Sequence, residues 1–384
     1  SNGSGIWSVG NATIMRNRFV NVSGPAVYIQ NGSWSNITYN VFLNSSLKGN
    51  LGVTNSSQAN IYLSSAPSSN VSYNNMSIGI NGIFISINSA NNHSNNSFVS
   101  YNNISFMNTS AIYMTVAGGV NVSNNTIYNI TSANAGYSST GINISTANSS
   151  SLWYNSISNV SSAAIYLTSA ANSTILLNVI SDVSRVNLIS GQLASVGIFI
   201  ASSPSSNVTF NNVSTGLNGI LLSNSGLIGT NNSFIAFNRL SYLNSSGVYV
   251  LNSQGVNVSN NTIFNISSSN VSEAGYGVYI SGSPSVNVSA NGIVNVSGAG
   301  VYLTTSSNSL VYNNTIANVS RAHILIGSNV FSSSGIIVTS SQSTNVSFNN
   351  VSSALSGIHV GNVGSGTGSN FSFVGFNRLS FMND

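Results

Sequence analysis

The stretch GVYVLNSQGVNVSNNTIFNIS, residues 247–267, decides the fold. A near-copy, AIYMTVAGGVNVSNNTIYNIT, stands at 111–131. Within it apolar and polar residues alternate as V-N-V-S-x-N-x-I-x-N-V/I, and a period of two means strands. Each strand is only about three to five residues, and Gly, Asn and Ser mark the bends between them. Helix signals are missing: there is no long 3.6-residue periodicity and almost no Glu, Lys or Arg.

The short signal, small–apolar–aromatic–apolar, recurs along the whole chain. It reads GIWS at 5, AVYI at 26, NIYL at 60, GIFI at 82, AIYM at 111, GINI at 141 and AIYL at 164. It continues as GIFI at 197, GILL at 219, GVYV at 247, GVYI at 277, GVYL at 300, GIIV at 335 and GIHV at 357. About 14 units follow at a base period of about 22 residues, some carrying insertions of roughly 6 to 13. Short strands at that period describe one turn of a parallel β-helix, each coil pairing with the next at ~4.8 Å. The expectation is an all-β solenoid of about 14 coils in a single domain over 1–384, a rod about 65–70 Å long.

A longer repeat lies on top. NVSYNN at 70, NVTFNN at 207 and NVSFNN at 345 are about 137 residues apart. The internal copies run over approximately 1–101 (partial), 102–237 and 238–376, with 377–384 starting a further one. The end, FNRLSFMND, resumes in SGIW at the beginning.

Asparagine tolerates the left-handed conformation of a sharp bend, and stacked Asn side chains hydrogen-bond along a ladder. Asn74, Asn102, Asn125, Asn155, Asn178, Asn211, Asn261, Asn314 and Asn349 are the expected bend ladder. Roughly 35 Asn-x-Ser/Thr sequons occur, about twice the chance number, and sugars are expected on the outward ones. Candidates are Asn21, Asn36, Asn70, Asn103, Asn121, Asn143, Asn159, Asn207, Asn257, Asn295, Asn345 and Asn370. An inward ladder Asn cannot carry a glycan.

Composition narrows the classes. Charged residues are 3% of the chain and the net charge is +4. The seven Lys and Arg are scattered, so no basic patch tracks nucleic acid. Cysteine is absent, which excludes a disulfide framework, thiolate metal sites and thiol catalysis. No apolar run approaches the ~18 residues of a membrane span. The chain opens on Ser1 with no basic and apolar leader, which reads as a processed chain or a piece of a longer one.

The N-x-I-x-N-x coil with its Gly-apolar-aromatic strands resembles the right-handed parallel β-helix repeat proteins, including NosD-type and pectate-lyase-like extracellular solenoids. The resemblance spans essentially the whole chain and implies a right-handed, single-stranded β-helix. Such folds host lyases, hydrolases, adhesins and passive surface proteins. Their glycosidases use paired carboxylates, and their lyases acidic Ca²⁺ ligands with a basic residue. None of that pattern carries over here. The only acidic residues are Asp182, Glu273 and Asp384. Asp182 and Glu273 lie about three coils, hence ~15 Å, apart, beyond the ~5–9.5 Å of glycoside hydrolysis. His93, His323 and His359 lie in different units without metal-ligand spacing. Arg185 and Arg321, like Arg239 and Arg378, are copied with the repeat, which reads as structural. No catalytic residue, metal or cofactor is expected, and the chain reads as a non-enzyme.

In G-V-Y-V the outer two apolar residues share one face and the middle residue the other. Trp7, Tyr28, Tyr62, Phe84, Tyr113, Tyr166, Phe199, Tyr249, Tyr279 and Tyr302 should therefore form an outward aromatic stripe, a candidate interface. The functional expectation is a secreted, N-glycosylated structural protein of a filament, sheath or surface layer. Its partner would be itself, head to tail with possible lateral packing, at the cell surface. The alternative is a carbohydrate-binding or carbohydrate-active β-helix protein.

Overall fold

The computed structural model describes residues 3–45, 58–87, 94–131, 139–184, 195–224, 230–268, 275–320, 323–326, 329–362 and 368–382, with 323–326 and 329–332 described as backbone alone. They fall into two compact units, Ser1–Ser195 and Val196–Asp384.

Both units are built from the same coil. In the first unit one coil comprises Asn121–Ser123, Thr126–Ile130 and Thr140–Ser145. Each of these strands lies parallel between the matching strands of the coils before and after it. Val122 stands between Val99 and Leu152, Ile127 between Ile104 and Ile157, and Ile142 between Ile112 and Ile165. In the second unit Val258 stands between Ile235 and Val288, and Val278 between Val248 and Val301. Among the described residues each unit holds seven strands of the Asn121–Ser123 kind, from Thr13–Met15 to Thr174–Leu176 and from Asn207–Thr209 to Phe373–Gly375. The fold is a right-handed parallel β-helix.

Packing follows from register. A parallel in-register stack sets like residues on like residues at the inter-strand spacing of ~4.8 Å. Val71, Val99, Val122, Leu152 and Ile175 make one fully buried column, and Ile61, Ile83, Ile112, Ile142 and Ile165 another. Phe19 and Phe42 stack inside the first unit at 4.9 Å. Each fully buried Val, Leu or Ile stabilises by about 1.5–3 kcal/mol, which is why an interior of branched aliphatics needs no ion pairs.

The small residue that opens G-V-Y-V is required by this stacking. A Cβ on Gly141 would lie 2.5 Å from the Ala164 carbonyl oxygen and 2.8 Å from Ile157 Cγ2. On Gly247 it would lie 2.5 Å from Ile263 Cγ2 and 2.6 Å from the Gly277 carbonyl oxygen. The next coil already occupies the space a side chain needs.

Two features depart from the sequence expectation. The ladder asparagines are not the left-handed residues of the bend. That conformation belongs to the residue just before each of them, including Tyr73 (φ 55), Tyr101 (φ 55), Asn124 (φ 54), Leu177 (φ 55) and Phe210 (φ 56). The second departure is in the insertion before residue 335. His323–Ile326 and Asn329–Ser332 pair antiparallel, with His323 opposite Ser332, so this insertion forms a hairpin of its own.

Candidate functional site: polar ladders and aromatic columns

Asn40, Asn74, Asn102, Asn125 and Asn155 are each about 1% exposed and fully hydrogen-bonded. Asn102 shows the pattern. Its backbone N–H and its side-chain Nδ2 both donate to Asn125 Oδ1 at 3.0 Å. Its Nδ2 also donates to the Val71 and Ser100 carbonyls, at 2.9 and 3.1 Å. Its own Oδ1 accepts the backbone N–H and the Nδ2 of Asn74, both at 3.0 Å. One amide thus ties three successive coils and satisfies groups that the turn would leave unpaired in a dry interior.

In the first unit the ladder runs from Asn17 through Asn40, Asn74, Asn102, Asn125 and Asn155 to Asn178. In the second it runs from Asn211 through Asn238, Asn261, Asn291, Asn314 and Asn349 to Asn377. Asn17, Asn40, Asn238, Asn291 and Asn377 were not among the expected ladder residues. Their common signal is placement, two residues after the short strand and regardless of what precedes them. A second ladder is built from hydroxyls: the backbone N–H groups of Ser253, Ser283 and Ser306 donate to Ser283, Ser306 and Ser341 Oγ at 3.0, 3.1 and 2.9 Å.

The expected outward stripe does lie on the face opposite the interior: Ile61 and Leu63 are buried while Tyr62 between them is half-buried. Its rings stack, Tyr28 on Tyr62 at 4.8 Å and Tyr249 on Tyr279 at 4.7 Å. It is not an exposed strip, however. Trp7 is open to solvent, whereas Tyr28, Tyr113, Tyr166, Tyr249 and Tyr279 are half-buried. Phe84, Phe199 and Tyr302 are buried outright. In the second unit Tyr276 covers the column, packing on Tyr279 and Tyr302 beside Ala299 and Ile337. Burial, reinforced by the neighbouring phenols, pushes the Tyr279 hydroxyl up to about 12 and raises Tyr276 further. Tyr113, Tyr166 and Tyr249 are raised by burial as well.

The exposed aromatic column is elsewhere, at the left-handed corner before the Asn ladder. Tyr39, Tyr73, Tyr101, Tyr154, Phe210, Phe237 and Phe348 all stand there about half exposed. The sequence carries the signal as S-Y-N-N, T-F-N-N and A-F-N-R, but an aromatic at a left-handed bend runs against residue preference.

The sequon candidates divide by exposure. Asn21, Asn159, Asn207, Asn295, Asn345 and Asn370 are exposed. Asn36, Asn70, Asn103, Asn121, Asn143 and Asn257 are partly buried, and the Oδ1 atoms of Asn103, Asn143 and Asn257 are enclosed without a partner. Asn143, expected outward and free, sits between Tyr113 and Tyr166 in register.

Of the ionisable residues, Asp182 is exposed at a corner with φ 53. Arg239 lies over the Phe264 ring at 4.4 Å, Arg378 is exposed, and His359 pairs in register with Ile337. His93, Arg185, Glu273, Arg321 and Asp384 lie outside the described residues, as does the side chain of His323. Among the described residues no three His, Cys, Asp or Glu cluster as a metal site, and no helix is long and apolar enough to cross a membrane.

Register, polar ladders and aliphatic columns define a parallel β-helix protein. Residues 179–325 match the family model of NosD, described as a periplasmic copper-binding protein. Two solved structures are similar over most of their length. One is the A-module of the mannuronan C-5 epimerase AlgE6 of Azotobacter vinelandii, at 14% identity, 91% of this chain, 90% of that one and a TM-score of 0.54. The other is PfbA, a surface adhesin of Streptococcus pneumoniae, at 11% identity, 88% of this chain, 85% of that one and a TM-score of 0.53. Comparison with curated proteins finds no match. Copper takes thiolate, thioether or imidazole ligands. The matched stretch contains no Cys, no Met and the single histidine His323. Those donors do not fit a copper centre.

Proposed function

We propose that the protein is a secreted structural β-helix of the cell surface, N-glycosylated on outward sequons, that assembles by stacking the coils of one copy on those of the next. The observation carrying this reading is that the coils are interchangeable. Every ladder coil offers the next the same pair of donors, an Asn backbone N–H and an Asn Nδ2, and receives them on the same Oδ1. The flanking strands keep one register and one interior residue class. Two copies stacked coil on coil would therefore repeat bonds that already hold each unit together. An open coil face with unpaired strand groups templates such pairing, and a contact of that kind does not close on itself, so it yields a filament. The exposed Asn159 and Asn295 support surface glycosylation, which would make a chain with 3% charged residues soluble.

Light scattering and electron microscopy on the purified chain test the reading. Mass should grow with concentration in the wild type and stop growing in Leu379→Lys. Leu379 is paired with the buried Val351 and is itself half exposed, so a charge there meets any coil laid on it. A wild-type mass that stays at one chain contradicts assembly.

A further inference from the structure

We propose that the solvent-facing ring stack Tyr39–Tyr73–Tyr101 is a binding platform for an extended, uncharged polysaccharide.

The first observation is conformational. All three tyrosines sit in the left-handed region, at φ 58, 55 and 55. Bulky side chains are disfavoured there, while Asn adopts it readily. The same corner in other coils is filled by Asn124, Asn260 and Asn313, at φ 54, 54 and 53. The backbone has a suitable residue and uses it elsewhere, so the tyrosines are not there for the turn. Side chains held against backbone preference cluster at functional sites.

The second observation is geometric. Tyr39 and Tyr73 are parallel to within 6° at 5.0 Å, and Tyr73 and Tyr101 to within 2° at 4.9 Å. At that separation parallel rings are offset rather than eclipsed. Rings offset in this way overlap only in part, and each stays about half exposed, at 53, 47 and 51%. The strand aromatics differ: Phe84 is 1% exposed. A row of partly open ring faces at the coil spacing offers stacking surface to successive pyranose rings.

The third observation is the chemistry alongside. On the preceding strand Asn70 Nδ2 donates to Asn36 Oδ1 at 2.9 Å, and on the following strand Asn103 Nδ2 donates to Asn75 Oδ1 at 3.3 Å. Ring faces bordered by amides match the apolar face and hydroxyl rim of a sugar. Among the described residues of this unit the charged side chains are Arg16, Arg18 and Asp182. Arg16 holds the same corner one coil before Tyr39, and no carboxylate shares the short stretch 39–103. Among the described residues of 39–103 no side chain is charged, so over the stack itself recognition runs through stacking and hydrogen bonds, which suits a neutral chain. The motif recurs in the second unit as Phe210–Phe237, parallel to within 6° at 4.9 Å, and Phe348–Phe376 at 5.0 Å. Several such patches in one chain suit a ligand that is itself a repeat.

This inference does not depend on assembly. The test is affinity electrophoresis of the full chain through gels holding laminarin, glucomannan, hydroxyethyl cellulose or, as the acidic arm, alginate. Tyr73→Asn/Tyr101→Asn is the matched variant, because Asn already serves this corner at Asn124 and the coil should keep its fold by circular dichroism. Retardation of the wild type by at least one neutral polysaccharide, weakened tenfold or more in the variant and unchanged in Tyr73→Phe, is the expected result. No retardation in any neutral gel overturns the proposal, as does equal retardation of the variant. Binding only to alginate, abolished by salt, would assign the interaction to Arg16 and Arg18 instead. Self-association lost in the variant without any polysaccharide retardation would assign the stack to contact between copies.

Discussion

Asn125 Oδ1 accepts two hydrogen bonds from one residue, the backbone N–H and the side-chain amide of Asn102, both at 3.0 Å. The pairing makes the corner of each coil part of its neighbour, and it sets the first prediction. Asn102→Ala removes the acceptor for Asn74 and the donor to the Val71 carbonyl, leaving buried groups unpaired. The expected loss is about 2–4 kcal/mol in urea unfolding monitored by circular dichroism. Asn102→Asp should lose more at pH 7, since a buried carboxylate would face the Val71 carbonyl without a donor. Asn→Ala at the exposed strand residue Asn207, which has no left-handed backbone to satisfy, should stay within about 0.5 kcal/mol of wild type.

The interior glycines give the second prediction. Gly247→Val places its Cβ where Ile263 Cγ2 and the Gly277 carbonyl already lie. Overpacking costs about 1–3 kcal/mol, or more where backbone blocks the site. Gly292, whose Cβ would meet nothing within 4 Å, should accept Ala almost without cost. A thermal melt of the two variants side by side distinguishes them.

The pH profile should be asymmetric. Three acidic residues in 384 leave little to protonate, so melting should barely change from about pH 2 to 8. The alkaline side is different. Tyr276 and Tyr279 are raised above their ordinary value of 10, Tyr279 to about 12. Their neutral form is favoured by the fold, so this contribution is fully present below pH 10 and fades as pH rises through 10 to about 12. Tyr279→Phe should flatten that alkaline decline. An acid transition near pH 4 would contradict the first half.

Glycosylation should follow exposure. Peptide mapping of chain from the native source should find sugar on Asn159, Asn207 and Asn295, and none on Asn143, whose Oδ1 is enclosed. Sugar on Asn143 with bare Asn159 and Asn295 would reverse the assignment.

The fold was legible because a β-helix writes its register into the chain. Residues such as Val71, Val99 and Val122 recur at one position of each coil and stack on one another, so periodicity in sequence becomes contact in space. The Asn ladder was legible for the same reason, although its cause was misassigned. Asn102 earns its place by hydrogen bonds to Asn74 and Asn125, and the left-handed bend is made by Tyr101. Exposure was not legible. Alternation gives the face of Tyr302 but not the Tyr276 ring that covers it, because Tyr276 is an aromatic at a register position that Ser246 and Asn218 hold in the preceding coils. The open column, Tyr39–Tyr73–Tyr101, was hidden by the rule that bulky residues avoid left-handed corners.

The central claim, that coils of separate copies stack as coils within one chain do, is tested most directly by X-ray diffraction from aligned, concentrated wild-type protein. The account predicts assemblies with a reflection near 4.8 Å along their long direction, the spacing of stacked parallel strands, and loss of those assemblies in Leu379→Lys. Wild-type protein that remains dispersed single chains at high concentration would contradict it, whatever reflection the coils within each chain give.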